Sequence, residues 1–183
     1  MNALPALTAP LLGGAVRVAV GVLWVLEGVE KYRAGFGTAD ILLVADGTAS
    51  NPRIPWWFTP VRATMQALPD AFGLAIPALE VLLGLALIAG VLTRLVALGS
   101  IATLALYWGS DQLIAQYPVM MLLGAVVLAV PDSGRFGAAW IVARLGSYRD
   151  GADRDGADRD GADRLSAGRS PRRRRAAPAR RQP

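Results

Sequence analysis

The chain contains no cysteine and no histidine. These absences exclude disulfides, thiolate chemistry and imidazole ligation of haem or metal, and they remove the side chain that most often transfers protons near neutral pH. We therefore expect neither a haem nor a metal site. Any redox role must use a cofactor that other side chains hold.

Charge is scarce through the middle of the chain. Between residues 73 and 131 only Glu80, Arg94 and Asp111 are charged, and another apolar stretch covers residues 11–26. Hydrophobic residues make up 54% of the whole sequence although residues 147–183 are almost purely polar. This composition is typical of a polytopic membrane protein. The sequence therefore predicts an all-α fold, a four-helix membrane bundle over residues 1–146, followed by a separate tail.

The apolar stretches give the layout of the bundle. A helical span needs about 20 residues, and the four candidates are 11–32, 73–92, 95–108 and 113–130, the third being short for a crossing. No basic residue precedes the first apolar run and no small-residue cleavage site follows it, so we expect a retained anchor instead of a cleaved signal peptide. The excess of positive charge expected on cytoplasmic loops puts Arg94, Arg135 and both termini on that side, and the long connection outside.

The first span carries two rows of residues spaced by seven positions. They are the glycines Gly14, Gly21 and Gly28, and the larger side chains Arg17, Trp24 and Lys31. Such glycines allow a neighbouring helix to approach closely. Glu27 and Lys31 stand four residues apart in the favourable order, and they form either a headgroup-level pair or an ionisable site that faces a cavity.

The second span carries an isolated carboxylate. Gly73, Pro77, Glu80 and Gly84 share one helical face. An ionised carboxylate within a membrane is costly, so Glu80 is expected to be protonated, paired with a cation such as Arg17 or Lys31, or exposed to water. Glu80 is a candidate for a functional role or for structural pairing.

The connection over residues 33–72 is a long aromatic loop that contains Trp56 and Trp57 between prolines. Short interfacial helices are expected at residues 40–44 and 61–68. The aromatic residues fit either a membrane-interface anchor or a lid over a lipid-soluble ligand such as a quinone.

The tail begins near Ser147 with a perfect triple repeat of Arg-Asp-Gly-Ala-Asp over residues 149–163. Because it has no apolar surface to bury, residues 147–183 are predicted to be disordered. The run Arg172–Arg175 is expected to contact anionic lipid in preference to non-specific nucleic acid. A short surface helix, or an extension of the bundle, is expected over residues 135–145.

Together these motifs resemble the DoxX/DoxD family. The resemblance rests on Arg17 with the glycine row and Lys31, on Trp56 and Trp57, and on Glu80 followed by the turn that ends at Arg94. It implies a small bacterial cell-membrane protein of four spans, named for a subunit of a thiosulfate:quinone oxidoreductase. It singles out Arg17, Lys31, Glu80, Arg94, Trp56 and Trp57, and it establishes none of them as catalytic.

Three functions remain open at this stage, and catalysis by the chain itself is undecided. The favoured one is the membrane subunit of a quinone-linked redox assembly with a redox partner subunit. The second is a membrane scaffold or integrity protein that recruits a partner through its bundle or its tail. The third is a small-solute transporter, for which the chain lacks clear broken helices or an inverted repeat.

Overall fold

A computed structural model describes residues 4–138, with side chains from residue 8 onward. This part of the chain forms α1 (Leu4–Ala34), α2 (Thr38–Ala49), a 3-10 turn (Trp56–Phe58), α3 (Thr59–Ala67), α4 (Pro69–Ala89), α5 (Thr93–Gly109) and α6 (Gln116–Ala129). No strand occurs in the described residues. The all-α prediction is therefore confirmed for that part of the chain.

Two of the described helices are long and apolar enough to cross a membrane. They are the Thr8–Ala34 part of α1 and the whole of α4, Pro69–Ala89, with mean hydropathies of 1.9 and 2.2. The helix α6 is apolar but shorter, and α5 has 17 residues. Length and composition thus identify α1 and α4 as membrane-capable.

The four longer helices pack side by side. The helix α1 lies against α4 and α6, and α5 lies against the same two helices. Their shared core contains Trp24, Leu87, Leu104, Met120 and Val127, each of them fully buried. The Trp24 indole nitrogen also donates to Ser100 Oγ at 2.6 Å, so a buried polar group of α1 finds its partner on α5.

The closest helix contact is between α1 and α4. A Cβ atom added at Gly21 would lie 2.8 Å from the Gly84 carbonyl oxygen, and one added at Gly84 would lie 2.5 Å from the Gly21 carbonyl oxygen. Gly28 faces the Pro77 carbonyl in the same way, whereas Gly14 has only the Arg135 carbonyl oxygen within 4 Å of its Cβ position. Two of the three glycines in the predicted row therefore form the helix contact.

The connection between α1 and α4 is largely helical. The Asp40 carboxylate accepts from the Gly37 backbone N–H at 2.9 Å and caps the first turn of α2. Pro60 lies in the first turn of α3, where a missing N–H costs nothing. A second core of Ile41, Ala45, Phe58 and Met65 holds these elements together, and both helices pack on α4. The helix α2 is longer than the predicted segment 40–44. The helix α3 begins two residues before the predicted segment 61–68.

The fourth long helix begins later than its apolar run. The sequence places it from residue 113, but α6 starts at Gln116, with Pro118 in its first turn, where proline needs no intrahelical N–H partner. Residues 131–136 form turns. The predicted helix at 135–145 lies mostly outside the described residues. So do the domain boundary near 146 and the predicted tail with its arginine run.

Candidate functional site

Lys31 joins two carboxylates inside the bundle. Its Nζ lies 2.6 Å from Glu80 Oε1 and 3.4 Å from Glu27 Oε2. Glu80 is 0% exposed and Glu27 is 9% exposed. The spacing of four residues puts Glu27 and Lys31 on one side of α1, and the close contact between α1 and α4 brings Glu80 to them.

Two tyrosines from the other helices complete this group. The Tyr107 hydroxyl donates to Glu80 Oε1 at 2.5 Å, and the Tyr117 hydroxyl donates to Glu27 Oε2 at 3.3 Å. The Gln116 amide donates to Glu27 Oε1, and the two tyrosine rings lie 5.4 Å apart. We call these six residues, Glu27, Lys31, Glu80, Tyr107, Gln116 and Tyr117, the polar cluster; they come from α1, α4, α5 and α6.

The polar cluster has the composition of a proton-handling site. It combines one ammonium, two carboxyl groups and two phenols within a chain of hydrogen bonds, and all of these groups can hold or release a proton. Glu80 Oε2 is buried and has no hydrogen-bond partner in the described part of the chain. Buried polar atoms are nearly always paired, so this oxygen is available to a further donor.

Two cavities adjoin the polar cluster. A cleft of about 270 Å³, the polar cleft, is lined by Glu27, Glu30, Lys31, Asp40 and Tyr117 among others. A cavity of about 320 Å³, the apolar cavity, lies where α2 and α3 face α4 and α5, with walls that include Phe58, Met65, Phe72, Ile76 and Tyr107. Tyr107 links the two regions because it is a wall residue of the apolar cavity and its hydroxyl belongs to the polar cluster.

Arg17 lies away from this site, in the first half of α1 and beside the C-terminal end of α4. It is 3% exposed, and its Nη1 donates to the Leu87 carbonyl at 2.8 Å and to the Ile88 carbonyl at 3.3 Å. These carbonyls belong to the last turn of α4, where the regular i+4 donors run out, although the Leu87 carbonyl also accepts from the Gly90 N–H at 3.1 Å. Arg17 therefore caps α4, and Gly90, which follows in the left-handed conformation at φ 70°, leaves room for its guanidinium.

A comparison with known protein families matches the DoxX family model to residues 14–110. The match covers more than half of the chain. The chain belongs to the DoxX family. No curated protein and no solved structure matches it. Family membership and the apolar helices together identify a membrane protein. The DoxX match includes Lys31, Glu80 and Tyr107, and it ends before α6, which supplies Gln116 and Tyr117.

The other residues that the sequence analysis named as candidate functional residues of this DoxX protein lie outside the polar cluster. Trp56 is 86% exposed. Trp57 packs against the Phe58 ring, with centroids 6.1 Å apart, and over the backbone of Gly109. Arg94 is exposed in the first turn of α5. The structure thus brings together Glu27, Lys31 and Glu80, and it holds Arg17, Arg94 and the two tryptophans elsewhere.

The sequence analysis of this DoxX chain did not identify Tyr107, Gln116 or Tyr117 as site residues. Each lies at the end or the start of an apolar helix, where aromatic and amide side chains are common at a membrane interface. One feature of the sequence did indicate that Tyr107 faces the bundle. Ser100, Thr103 and Tyr107 follow one another at intervals of three and four residues, so they share one face of α5. That polar stripe indicated that α5 presents its hydroxyl groups to the bundle interior.

Proposed function

We propose that this DoxX protein is the membrane subunit of a quinone-linked redox assembly and that its polar cluster exchanges protons with the quinone. One observation carries the proposal. A lysine, a fully buried glutamate and a tyrosine form a continuous hydrogen-bonded group, and the tyrosine borders an apolar cavity. Cavities that are mostly apolar with a few convergent polar groups are the usual binding sites for small lipid-soluble molecules.

The residues present fit a quinone. The walls of the apolar cavity suit a flat uncharged ring, and Tyr107 offers an aromatic face there. A quinone carbonyl accepts hydrogen bonds, and the Tyr107 hydroxyl, which is directed at Glu80 Oε1, is the donor of the polar cluster at this cavity. When bound, a quinone would accept two electrons from a redox partner subunit and two protons to become a hydroquinone.

The polar cluster offers a route for those protons. Glu27 and Lys31 line the polar cleft, and Lys31 reaches Glu80, which in turn accepts from Tyr107. The Tyr107 hydroxyl donates to Glu80 in the structure, so delivery of a proton to the apolar cavity requires Glu80 to be protonated first. Glu80 would then donate to the Tyr107 oxygen while the Tyr107 hydroxyl gives its own proton to the quinone. Removal of Glu80 would interrupt this route between Lys31 and Tyr107.

The proposal includes the membrane topology. In it α1, α4, α5 and α6 are the four spans, both termini are cytoplasmic in a bacterial cell membrane, and α2 and α3 lie outside. The polar cluster then lies toward the outer ends of the spans, since Lys31 is near the end of α1 and Gln116 is at the start of α6.

Native mass spectrometry of the tagged full chain, extracted from its own membranes in mild detergent, tests the proposal. A bound quinone together with an oxidoreductase subunit is the expected result. Quinone-dependent turnover of that assembly should be lost in Glu80→Gln and kept in Asp46→Asn, which changes an exposed carboxylate of α2 outside the polar cluster and both adjoining cavities. A quinone-free chain would contradict the proposal, and a non-redox partner on that chain would favour the scaffold function.

A further inference from the structure

The connection between α5 and α6 places one side chain against three cavities. Gln112 lines the polar cleft and the apolar cavity. It also lines a third cavity of about 490 Å³ between α5 and α6, which we call the groove; Trp108, Leu113, Ile114 and Met121 are among its apolar walls. Among the described residues no other lines all three cavities, so Gln112 is the wall residue that they share.

The backbone at Gln112 is held in place. Its N–H donates to the Tyr107 carbonyl at 3.0 Å. The preceding Asp111, whose φ is 62°, accepts from Arg53 Nη2 at 2.5 Å and from Asn51 Nδ2 at 2.8 Å. These contacts tie the α5–α6 connection to the α2–α3 connection. The backbone position of Gln112 is therefore fixed by its own N–H and by the contacts of Asp111, and not by its side chain.

The carboxamide of Gln112 is available to a ligand. The other polar side chains on the walls of the apolar cavity are already bonded: Thr103 to the Gly99 carbonyl, Ser110 to the Tyr107 carbonyl and Tyr107 to Glu80. The Gln112 side chain is half-buried and forms no hydrogen bond with the described residues. A carboxamide has both donor and acceptor atoms and carries no charge.

We infer that Gln112 orients the ring of a neutral lipid whose carbonyl or hydroxyl oxygen bonds to its carboxamide, with the ring in the apolar cavity and an apolar tail in the groove. The walls of these two cavities carry no charged side chain, and an ionised group without a partner would be costly there. A prenylated ring with neutral oxygens fits this chemistry. The inference rests on the proposed function for the identity of that ring as a quinone.

Titration of the purified full chain in lipid nanodiscs with a ubiquinone of one isoprene unit tests the inference. Quenching of tryptophan fluorescence reports binding, since Trp108 lines the groove. Gln112→Leu preserves the approximate size but removes the hydrogen bond, so Kd should rise about tenfold. Gln66→Leu is the matched control, because Gln66 is exposed on α3 and bonds Asp46 outside the three cavities, and its Kd should not change.

The outcomes separate this inference from the proposed function. Equal Kd values for the unaltered chain and Gln112→Leu would overturn the role of Gln112 and leave quinone binding intact. Absence of quenching in the unaltered chain would overturn both. Full competition by a saturated fatty alcohol would show that the groove binds any alkyl chain and would also overturn the inference. If Gln112→Leu does not fold, Gln112→Asn, which withdraws the amide by one methylene, should raise Kd and decides the question.

Discussion

Lys31 on α1 and Glu80 on α4 form a buried ion pair, with 2.6 Å between Nζ and Oε1 and no exposed surface on the glutamate. The pair lies beside the closest contact between the two membrane-capable helices. A buried pair contributes little net stability when both partners are present, because each charge loses its hydration. Loss of one partner is far more damaging, since the other charge stays buried without compensation.

Lys31→Met should therefore lower the free energy of unfolding by about 3–5 kcal/mol. The double variant Lys31→Met/Glu80→Met should recover most of this loss, because it removes the Glu80 charge and fills the space. Glu27, the other carboxylate at Lys31, keeps its hydrogen bonds from Gln116 and Tyr117. Denaturation of the purified chain in mild detergent measures both effects. Arg33→Met, in the exposed last turn of α1, is the control and should change little. A double variant as unstable as the single one would contradict the prediction.

The contact between Gly21 and Gly84 makes a second prediction possible. Gly21→Ala should destabilise the chain by about 1–3 kcal/mol, since the added methyl would press on the Gly84 carbonyl and separate the helices. Gly99→Ala is the matched control on α5: its Cβ would lie 3.7 Å from Leu83 Cδ2. Alanine is about 0.5–1 kcal/mol better than glycine within a helix, so Gly99→Ala should be neutral or stabilising. The same sign for both variants would refute the prediction.

The local pattern of the sequence predicted much of the α1–α4 contact. Gly73, Pro77, Glu80 and Gly84 share a helical face, and all four are buried. For Glu80 the sequence left three states open, protonation, exposure to water or pairing with a cation such as Arg17 or Lys31, and the structure shows the pair with Lys31. Such predictions succeed because helical periodicity determines which residues face inward whatever the neighbouring helix is.

The rest of the site depends on which helices pack against each other. Helical periodicity within one segment does not predict that arrangement. Tyr107 reaches Glu80 across 27 positions of sequence and Tyr117 reaches Glu27 across 90. The extent of α2 and α3 was also incompletely predicted, because each helix is short and contributes only one or two fully buried residues to their second core, Ile41 and Ala45 from α2 and Met65 from α3. Short segments of that kind acquire helical structure from tertiary packing more than from their own propensity.

The cap that Arg17 places on α4 gives a third prediction. Arg17→Met removes both hydrogen bonds to the Leu87 and Ile88 carbonyls, and hydrogen bonds to a charged group are worth about 1.5–3 kcal/mol. The variant should unfold at a lower temperature, and amide exchange should be faster in the last turn of α4. Arg94→Met removes an exposed arginine near the same turn and is the control. Equal protection of that turn in both variants would show that Arg17 does not act as a cap.

The proposed topology can be tested cleanly because the chain has no native cysteine. Ser50→Cys, Leu113→Cys and Ala138→Cys each place one thiol at an exposed position: between α1 and α4, between α5 and α6, and after α6. A membrane-impermeant maleimide should label the first two in intact cells and the third only after permeabilisation. Labelling at Leu113 is decisive, since among the helices of residues 4–138 only α1 and α4 are long enough to span by length and composition. If α5 and α6 remain on one side, Leu113 will behave like Ala138, and a two-span protein replaces the four-span one.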